Sequence, residues 1–246
     1  MQQTISGTQN VYGKNGDIIF NGEWDSKKLC EVITAGNPSY WKGRRTLDLG
    51  ANTAGLSLEL ARMGAEITAS EPDPYKNSKT HTIEILKEII KQEELNLDFS
   101  DKDLFNAHLL GSHDTVLCLG LIYHFRDPQY VLDYLSELDH KELIISTQLY
   151  PGSGLCMYNR KDPNVIGRAN FWDNHTDSLS GWHPTRELFK AMLVSAGYTD
   201  IQSLTGDDIS FLNKPKNLTN SAYFKAIKNK QESVDPIEAR KIFYPR

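Results

Sequence analysis

The chain has 246 residues and a formal net charge of −5 at pH 7, with 39% hydrophobic and 24% charged residues, proportions typical of one large globular domain. This acidic balance argues weakly against a nucleic-acid partner, because such partners usually require a basic surface. Three widely spaced cysteines indicate neither a disulfide framework nor a metal site, and the lack of a membrane-length apolar run or a signal peptide predicts a cytoplasmic protein with no membrane partner.

Residues 1–44 are predicted to form an N-terminal segment and an entry helix. The first 25 residues are polar and glycine-spaced, with one strand-like patch at residues 17–20. Asp25 provides an N-cap for a helix that runs to about Thr34 and that Gly36 ends. We expect this helix to precede an alternating region that begins at the next residue.

Strands and helices alternate along residues 45–149. Five apolar stretches are typical of strands, and they lie at residues 46–49, 66–70, 95–99, 114–120 and 143–146. Segments with helical periodicity lie in three of the four intervals between these stretches. Strands connected in this way imply right-handed parallel crossovers, so we predict an α/β fold with a doubly wound, Rossmann-like sheet.

The alternation breaks at residues 150–184, which are rich in glycine and show little helical periodicity. A stretch of this length without regular structure is usually functional in a compact domain, and we predict an inserted substrate lid. Residues 185–246 are predicted to form a helix that ends at Gly197 and two closing strands, at residues 200–204 and 222–227.

The segment from Thr46 to Ala61 has the pattern of a strand, a tight glycine turn and a helix. An acidic residue about 20 residues beyond such a turn is placed to bind a ribose diol, and Glu71 follows Asp48 at that kind of distance. We therefore expect an adenosine-containing ligand. Asn52 and Ala54 stand where a dinucleotide site requires glycines, which makes the turn a poor pyrophosphate cradle.

The turn reads Asp48-Leu-Gly-Ala-Asn-Thr-Ala-Gly55 and resembles the D-x-G-x-G-x-G motif of the class I S-adenosylmethionine-dependent methyltransferases. The resemblance covers residues 26–228. It implies S-adenosylmethionine as the cofactor, residues 45–149 as the donor-binding half, and a seven-stranded sheet whose last pair is antiparallel.

The resemblance also implies roles for individual residues around the donor. Glu71 would accept both ribose hydroxyls, Asp48 would lie near the ammonium group, and Gly50 would let the backbone pass close to the same amino-acid tail. In the family, an acidic side chain after the third strand meets the adenine amino group. Asp101 is the better match for that position, and Asp103 is the alternative.

The end of the fourth strand, Gly120-Leu-Ile-Tyr-His124, resembles the G-x-L-Y-H motif of a methyltransferase branch that includes the enzyme carboxymethylating a tRNA wobble uridine. Trp182-His-Pro-Thr185 is similar to the W-x-P-T of the same branch. The resemblance places Gly120 beneath the sulfonium, with Tyr123 and His124 toward the acceptor. The predicted cofactor-binding residues are therefore Asp48, Gly50, Asn52, Glu71, Asp101 and Gly120.

Methyl transfer is an in-line displacement, so the protein mainly aligns the two reactants. An oxygen nucleophile also has to lose its proton, a task that suits a histidine near its unperturbed pKa. The candidate bases are His124, His175 and His183, which the sequence does not rank. The candidate substrate-binding residues are Tyr123, Trp172 and Trp182.

These patterns favour a methyltransferase acting on an oxygen, or less readily a nitrogen, of a small-molecule acceptor such as a sugar or a secondary metabolite. The first alternative is a tRNA-modifying methyl or carboxymethyl transferase, against which the acidic balance stands. A second alternative is a non-catalytic module that binds an adenosine ligand, and a third is a nicotinamide-dependent oxidoreductase. Oligomeric state and the identity of the acceptor do not follow from the sequence.

Overall fold

The structure, a computed structural model, describes residues 5–72, 76–125, 127–150, 153–155, 157–159, 182–204 and 220–229. Four short strands begin the chain, and they are β1 (Ile5–Gln9), β2 (Val11–Tyr12), β3 (Ile18–Phe20) and β4 (Gly22–Trp24). Strand β1 pairs with β4 in parallel, and β2 pairs with β3 antiparallel. The sequence predicted only the third of these strands.

The next elements are helix α1 (Ser26–Thr34) and a 3-10 helix (Pro38–Trp41). The alternating region follows as β5 (Arg45–Leu49), α2 (Gly55–Arg62), β6 (Glu66–Ser70), α3 (Lys76–Glu93), β7 (Leu97–Ser100), a 3-10 helix (Leu104–Leu110) and β8 (Thr115–Cys118). Each predicted strand in this stretch is present with boundaries that shift by two residues or fewer.

The remaining elements begin with a 3-10 helix (Ile122–His124), and they continue as α4 (Pro128–Glu137), β9 (Glu142–Leu149), β10 (Met157–Asn159), β11 (Trp182–Pro184), α5 (Arg186–Ser195), β12 (Tyr198–Ser203) and β13 (Asn220–Lys228). Most of the predicted lid lies outside the described residues. Within it, β10 pairs antiparallel with β11, where the sequence predicted no regular element.

Seven strands form one sheet in the order β12-β13-β9-β8-β5-β6-β7. Strands β5, β6 and β7 are mutually parallel, whereas β13 runs antiparallel to both β9 and β12. The predicted seven-stranded Rossmann-like sheet with an antiparallel end is thus confirmed. None of the helices in the described part of the chain is long and apolar enough to cross a membrane.

Local chemistry explains where the elements start and stop. Asp25 caps α1, as predicted, because its Oδ1 accepts from the backbone N–H groups of Lys27 at 3.1 Å and Lys28 at 3.3 Å. The left-handed cap of α1 is Ala35 (φ 48°), one residue before the predicted Gly36. Strand β8 ends earlier than predicted because Gly120 (φ 69°) turns the chain.

The chain divides into two compact units, which we call the N-terminal unit, up to Leu117, and the C-terminal unit, from Cys118 on. The largest fully buried side chains of the N-terminal unit include Trp41, Leu47 and Leu49. Those of the C-terminal unit include Phe189, Tyr198 and Phe224. Each unit therefore has an apolar core of its own.

Candidate functional site

The turn after β5 keeps a glycine-type backbone although two of its residues are not glycine. Gly50 (φ 68°), Asn52 (φ 60°) and Ala54 (φ 54°) are all left-handed. Glycine and asparagine tolerate this conformation, whereas alanine pays about 1–2 kcal/mol for it. Asn52 and Ala54, which stand in place of the motif's glycines, therefore still adopt the left-handed backbone that glycine favours.

Hydrogen bonds within the N-terminal unit already use most amide groups of this turn. Six of the seven backbone N–H groups from Gly50 to Leu56 donate to protein oxygens: those of residues 50, 51, 52, 53, 54 and 56. A pyrophosphate needs several such groups converging on it at a helix N-terminus. The turn is thus held by hydrogen bonds and suits a ligand that needs few hydrogen bonds from backbone amides.

Asp48 is a buried carboxylate at the end of β5, with only 3% of its surface exposed. Burial raises the pKa of Asp48 to about 7, and the nearby negative charge of Glu71 adds to the rise. The hydroxyl of Ser57 donates to Asp48 Oδ2 at 2.5 Å, and this hydrogen bond lowers the pKa of Asp48. A cation beside Asp48 would favour its charged form, which is the chemistry of an amino-acid ammonium group.

Glu71 directly follows β6, and the turn holds its carboxylate in place. Its Oε2 accepts from the backbone N–H of Asn52 at 2.9 Å. The backbone carbonyl of the preceding residue, Ser70, accepts from Gly50 at 2.9 Å and from Ala51 at 3.1 Å. These contacts bring the predicted Asn52 and Glu71 together, and a carboxylate fixed at this strand end has the acceptor chemistry that a ribose diol requires.

The two acidic residues after β7 have different surroundings. The carboxylate of Asp103 accepts from the backbone N–H of Asn106 at 2.9 Å and from its side chain at 2.8 Å, so it caps the following 3-10 helix. Asp101 is 84% exposed and lies 3.5 Å from Lys102 Nζ. The cap role of Asp103 leaves Asp101 as the better candidate for an adenine contact, which stays a prediction.

In the C-terminal unit, the rings of two predicted histidines lie near the phenol ring of Tyr123, which is also a predicted residue. The ring of Tyr123 lies 4.4 Å from that of His124 and 6.3 Å from that of His183, the latter at an interplanar angle of 88°. Tyr123 is buried, and His183 is only 3% exposed. We call Tyr123, His124 and His183 the aromatic cluster. A base and a ring face are thus both present in one place.

Gly120 belongs to the same part of this unit. A Cβ on Gly120 would lie 3.5 Å from the hydroxyl of Tyr123, and the Gly120 N–H donates to Ser146 Oγ at 2.7 Å. Together with its positive φ, these contacts fix the predicted sulfonium-side glycine next to the aromatic cluster.

Tyr223 is a neighbour of this site that the sequence did not predict. In the pairing of β13 with β9, Tyr223 lies opposite Ser146. Burial raises the pKa of Tyr223 well above its ordinary value, nearby Tyr123 raises it further, and a hydrogen bond with Ser146 lowers it. The strand pairing, and not a sequence motif, brings Tyr223 near Tyr123, so the sequence contains no signal for it.

Three other predicted residues are described incompletely or not at all. Trp172 and His175 lie outside the described residues. Trp182 opposes Asn159 in the pairing of β10 with β11. Within the described ranges, no group of three or more His, Cys, Asp or Glu side chains is arranged to hold a metal ion.

Comparison with characterised proteins gives partial relatives, and no family model matches the chain. The ubiquinone biosynthesis O-methyltransferase of Xanthomonas euvesicatoria pv. vesicatoria is 33% identical over 125 residues, which are 46% of this chain and 50% of that protein. The tRNA U34 carboxymethyltransferase of Alteromonas mediterranea is 24% identical over 182 residues, which are 72% of this chain and 52% of that protein. The chain thus spans about half the length of these curated relatives.

Solved structures share the fold over most of the chain. The N-terminal domain of EvdMO1, crystallised in the presence of S-adenosylhomocysteine and D-fucose, has a TM-score of 0.61 at 19% identity and covers 91% of this chain and 92% of that one. The magnesium protoporphyrin IX methyltransferase of Synechocystis with bound S-adenosylmethionine has a TM-score of 0.52 at 16% identity and covers 83% and 78%. In its turn motif, its sheet order and its curated relatives, the chain is similar to the class I S-adenosylmethionine-dependent methyltransferases.

Proposed function

We propose that this chain transfers the methyl group of S-adenosylmethionine to an oxygen of a small-molecule acceptor such as a sugar or a secondary metabolite. The observation that carries the proposal is the pair of carboxylates Asp48 and Glu71. Asp48 accepts a hydrogen bond from Ser57, and Glu71 accepts one from Asn52 of the left-handed turn. This pair matches a ligand with one ammonium group and one ribose diol.

The N-terminal unit binds the donor in this proposal. When bound, the donor supplies the electrophilic methyl group on its sulfonium. Asp48 stays ionised beside the ammonium group, and Glu71 accepts hydrogen bonds from the ribose hydroxyls. Most amides of the turn already donate to protein oxygens, so a pyrophosphate would find few N–H groups there, which favours this donor over a dinucleotide.

The aromatic cluster of the C-terminal unit binds the acceptor. Tyr123 offers a ring face to the acceptor, and the imidazole of His124 or His183 takes the proton of its hydroxyl group. The oxygen then forms a bond to the methyl carbon as the carbon–sulfur bond breaks, which leaves a neutral thioether and a protonated imidazole. His183 is the more buried of the two histidines, so it is the better shielded from water.

The names of two similar proteins support an oxygen acceptor. The curated relative from Xanthomonas is an O-methyltransferase, and the EvdMO1 domain was crystallised with a sugar. We carry these properties to this chain as part of the proposal.

A second candidate function is tRNA modification. The relative from Alteromonas acts on tRNA U34 by name, and its match extends over 72% of this chain. The formal charge of −5 opposes it, since phosphate contacts need lysine and arginine in number. We therefore rank the small acceptor first.

Two measurements test these proposals. Mass spectrometry of protein purified without added ligand should detect S-adenosylmethionine or S-adenosylhomocysteine, and a bound nicotinamide dinucleotide instead would overturn the donor proposal. A gel shift with bulk tRNA in moderate salt should show weak binding. Tight binding that falls steeply with salt would make the RNA function the primary one.

A further inference from the structure

The end of strand β1 is joined to the glycine turn by a reciprocal pair of hydrogen bonds. The Gln9 N–H donates to Thr53 Oγ1 at 3.1 Å, and the Thr53 hydroxyl donates back to the Gln9 carbonyl at 2.9 Å. Gln9 is 6% exposed and Thr53 is 1% exposed. Water therefore competes little for these bonds, and the strand fixes the middle of the turn.

The Gln9 side chain performs a second task, at the start of α2. The N-cap residue of this helix is Ala54, which makes no side-chain cap hydrogen bond. Gln9 Oε1 instead accepts from the Leu56 N–H at 2.8 Å. A residue 47 positions earlier in the chain thus supplies the oxygen that an N-cap serine or aspartate would normally provide.

Close backbone contact completes the arrangement. A Cβ on Gly55 would collide with the backbone carbonyl oxygen of Asn10, and a Cβ on Gly22 would collide with the backbone of Gln9. The strand end therefore lies directly against the first residue of α2, with no room for a side chain at Gly55.

We infer that Gln9 and Thr53 are positioning residues for donor binding, and that the end of β1 acts as a clamp on the donor turn. The inference rests on the proposed function, because it assigns the turn to the donor. Ala54 holds a left-handed conformation that alanine disfavours, so the turn needs an outside contact to keep its path. The clamp supplies that contact, and through the turn it keeps Asp48 and Glu71 in their binding geometry.

The test measures the affinity of the full chain for S-adenosylhomocysteine by calorimetry. Gln9→Leu removes the oxygen that caps α2 while keeping the side chain's bulk, and Thr53→Val removes the hydroxyl while keeping its shape. We expect each to weaken binding about tenfold, and Thr53→Ser, which keeps the hydroxyl, to restore the affinity. Amide hydrogen exchange of Leu56 in ligand-free protein should be faster in Gln9→Leu than in the unaltered chain.

Tyr12→Phe is the matched control. It removes the hydroxyl that donates to Asp25 at 3.0 Å and accepts from Asn10 Nδ2 at 3.2 Å, but it keeps the bonds from Gln9 to Thr53 and from Leu56 to Gln9. We expect it to lower the melting temperature without changing the affinity by more than about twofold.

The outcomes separate the clamp from the proposed function. Affinities that fall equally in Gln9→Leu, Thr53→Val and Tyr12→Phe, or in none of them, would overturn the clamp while leaving the donor site in place. Failure of the unaltered chain to bind S-adenosylhomocysteine would contradict the proposed function, and the clamp's role with it.

Discussion

The candidate site of the N-terminal unit consists of two carboxylates and a left-handed turn. That of the C-terminal unit consists mainly of phenol and imidazole rings. Asp48 and Glu71 suit a cationic ligand with hydroxyl groups to be bound. The aromatic cluster instead suits a neutral ligand that packs on a ring face and loses a proton. In the proposed function the two units therefore have different tasks, so substitutions in each unit should affect different steps.

The largest expected effect lies in the C-terminal unit. We predict that His183→Gln or His124→Gln, whichever removes the base, lowers kcat about 10²–10⁴-fold, because an unassisted hydroxyl is a poor nucleophile. The dissociation constant for S-adenosylhomocysteine should stay unchanged in both variants. Single-turnover assays with each variant test this, and rates within about fivefold of the unaltered protein in both would contradict this separation of tasks.

The next effect concerns the N-terminal unit. Glu71→Ala should weaken donor binding by about 1.5–3 kcal/mol, the scale of hydrogen bonds to a charged acceptor. Glu66→Ala is the matched control, since it removes the same charge from the exposed start of β6. Calorimetric affinities that agree between Glu71→Ala and the unaltered chain would remove the ribose assignment.

Proton linkage at Asp48 provides a third test. Its folded pKa of about 7 lies above the ordinary value of 3.8, so this group's contribution to stability is complete below pH 4 and is lost as pH rises through 7. Donor binding has the opposite trend, because the ammonium group needs the ionised carboxylate. We expect the affinity to fall roughly tenfold per pH unit below about 7.

Asp48→Asn is the control for this pH dependence, since it cannot titrate. Affinity for S-adenosylhomocysteine should then be nearly constant between about pH 5 and 8. An unaltered protein whose affinity does not change over the same range would show that Asp48 does not meet the ammonium group.

The smallest effect concerns the left-handed turn. Asn52→Ala should lower the free energy of unfolding by about 1 kcal/mol, because alanine disfavours φ near 60° and loses the 2.8 Å bond from Thr53 N to Asn52 Oδ1. Asn52→Gly loses the same hydrogen bond, but glycine adopts φ near 60° readily, so the loss of unfolding free energy should be less than half as large. Denaturant titrations showing glycine to be the worse substitution would contradict the strained turn.

Local patterns predicted most of the fold, and they also contain the contacts around the carboxylates of the candidate N-terminal site. The bond between Ser57 and Asp48 spans nine residues, and that between Asn52 and Glu71 spans 19, so a single strand–turn–helix–strand motif contains them. Strands β8 and β9 are almost wholly buried, which their apolar sequences indicate directly.

The features that the sequence did not predict depend on long-range pairing. Gln9 caps a helix 47 residues away, and its surrounding sequence contains no cap signal for that helix. Tyr223 reaches the neighbourhood of Tyr123 only through the pairing of β13 with β9. Such contacts follow from the register of strands, which a linear motif does not encode.

The most direct test of the account follows a labelled methyl group. The protein is incubated with S-adenosylmethionine that carries a trideuterated methyl group, together with a panel of sugars and phenols and, separately, with bulk tRNA. Mass spectrometry should find the label on a hydroxyl oxygen of a small acceptor, with the matching yield of S-adenosylhomocysteine. Label found in tRNA nucleosides alone, or no transfer to any acceptor while the donor remains bound, would contradict the account.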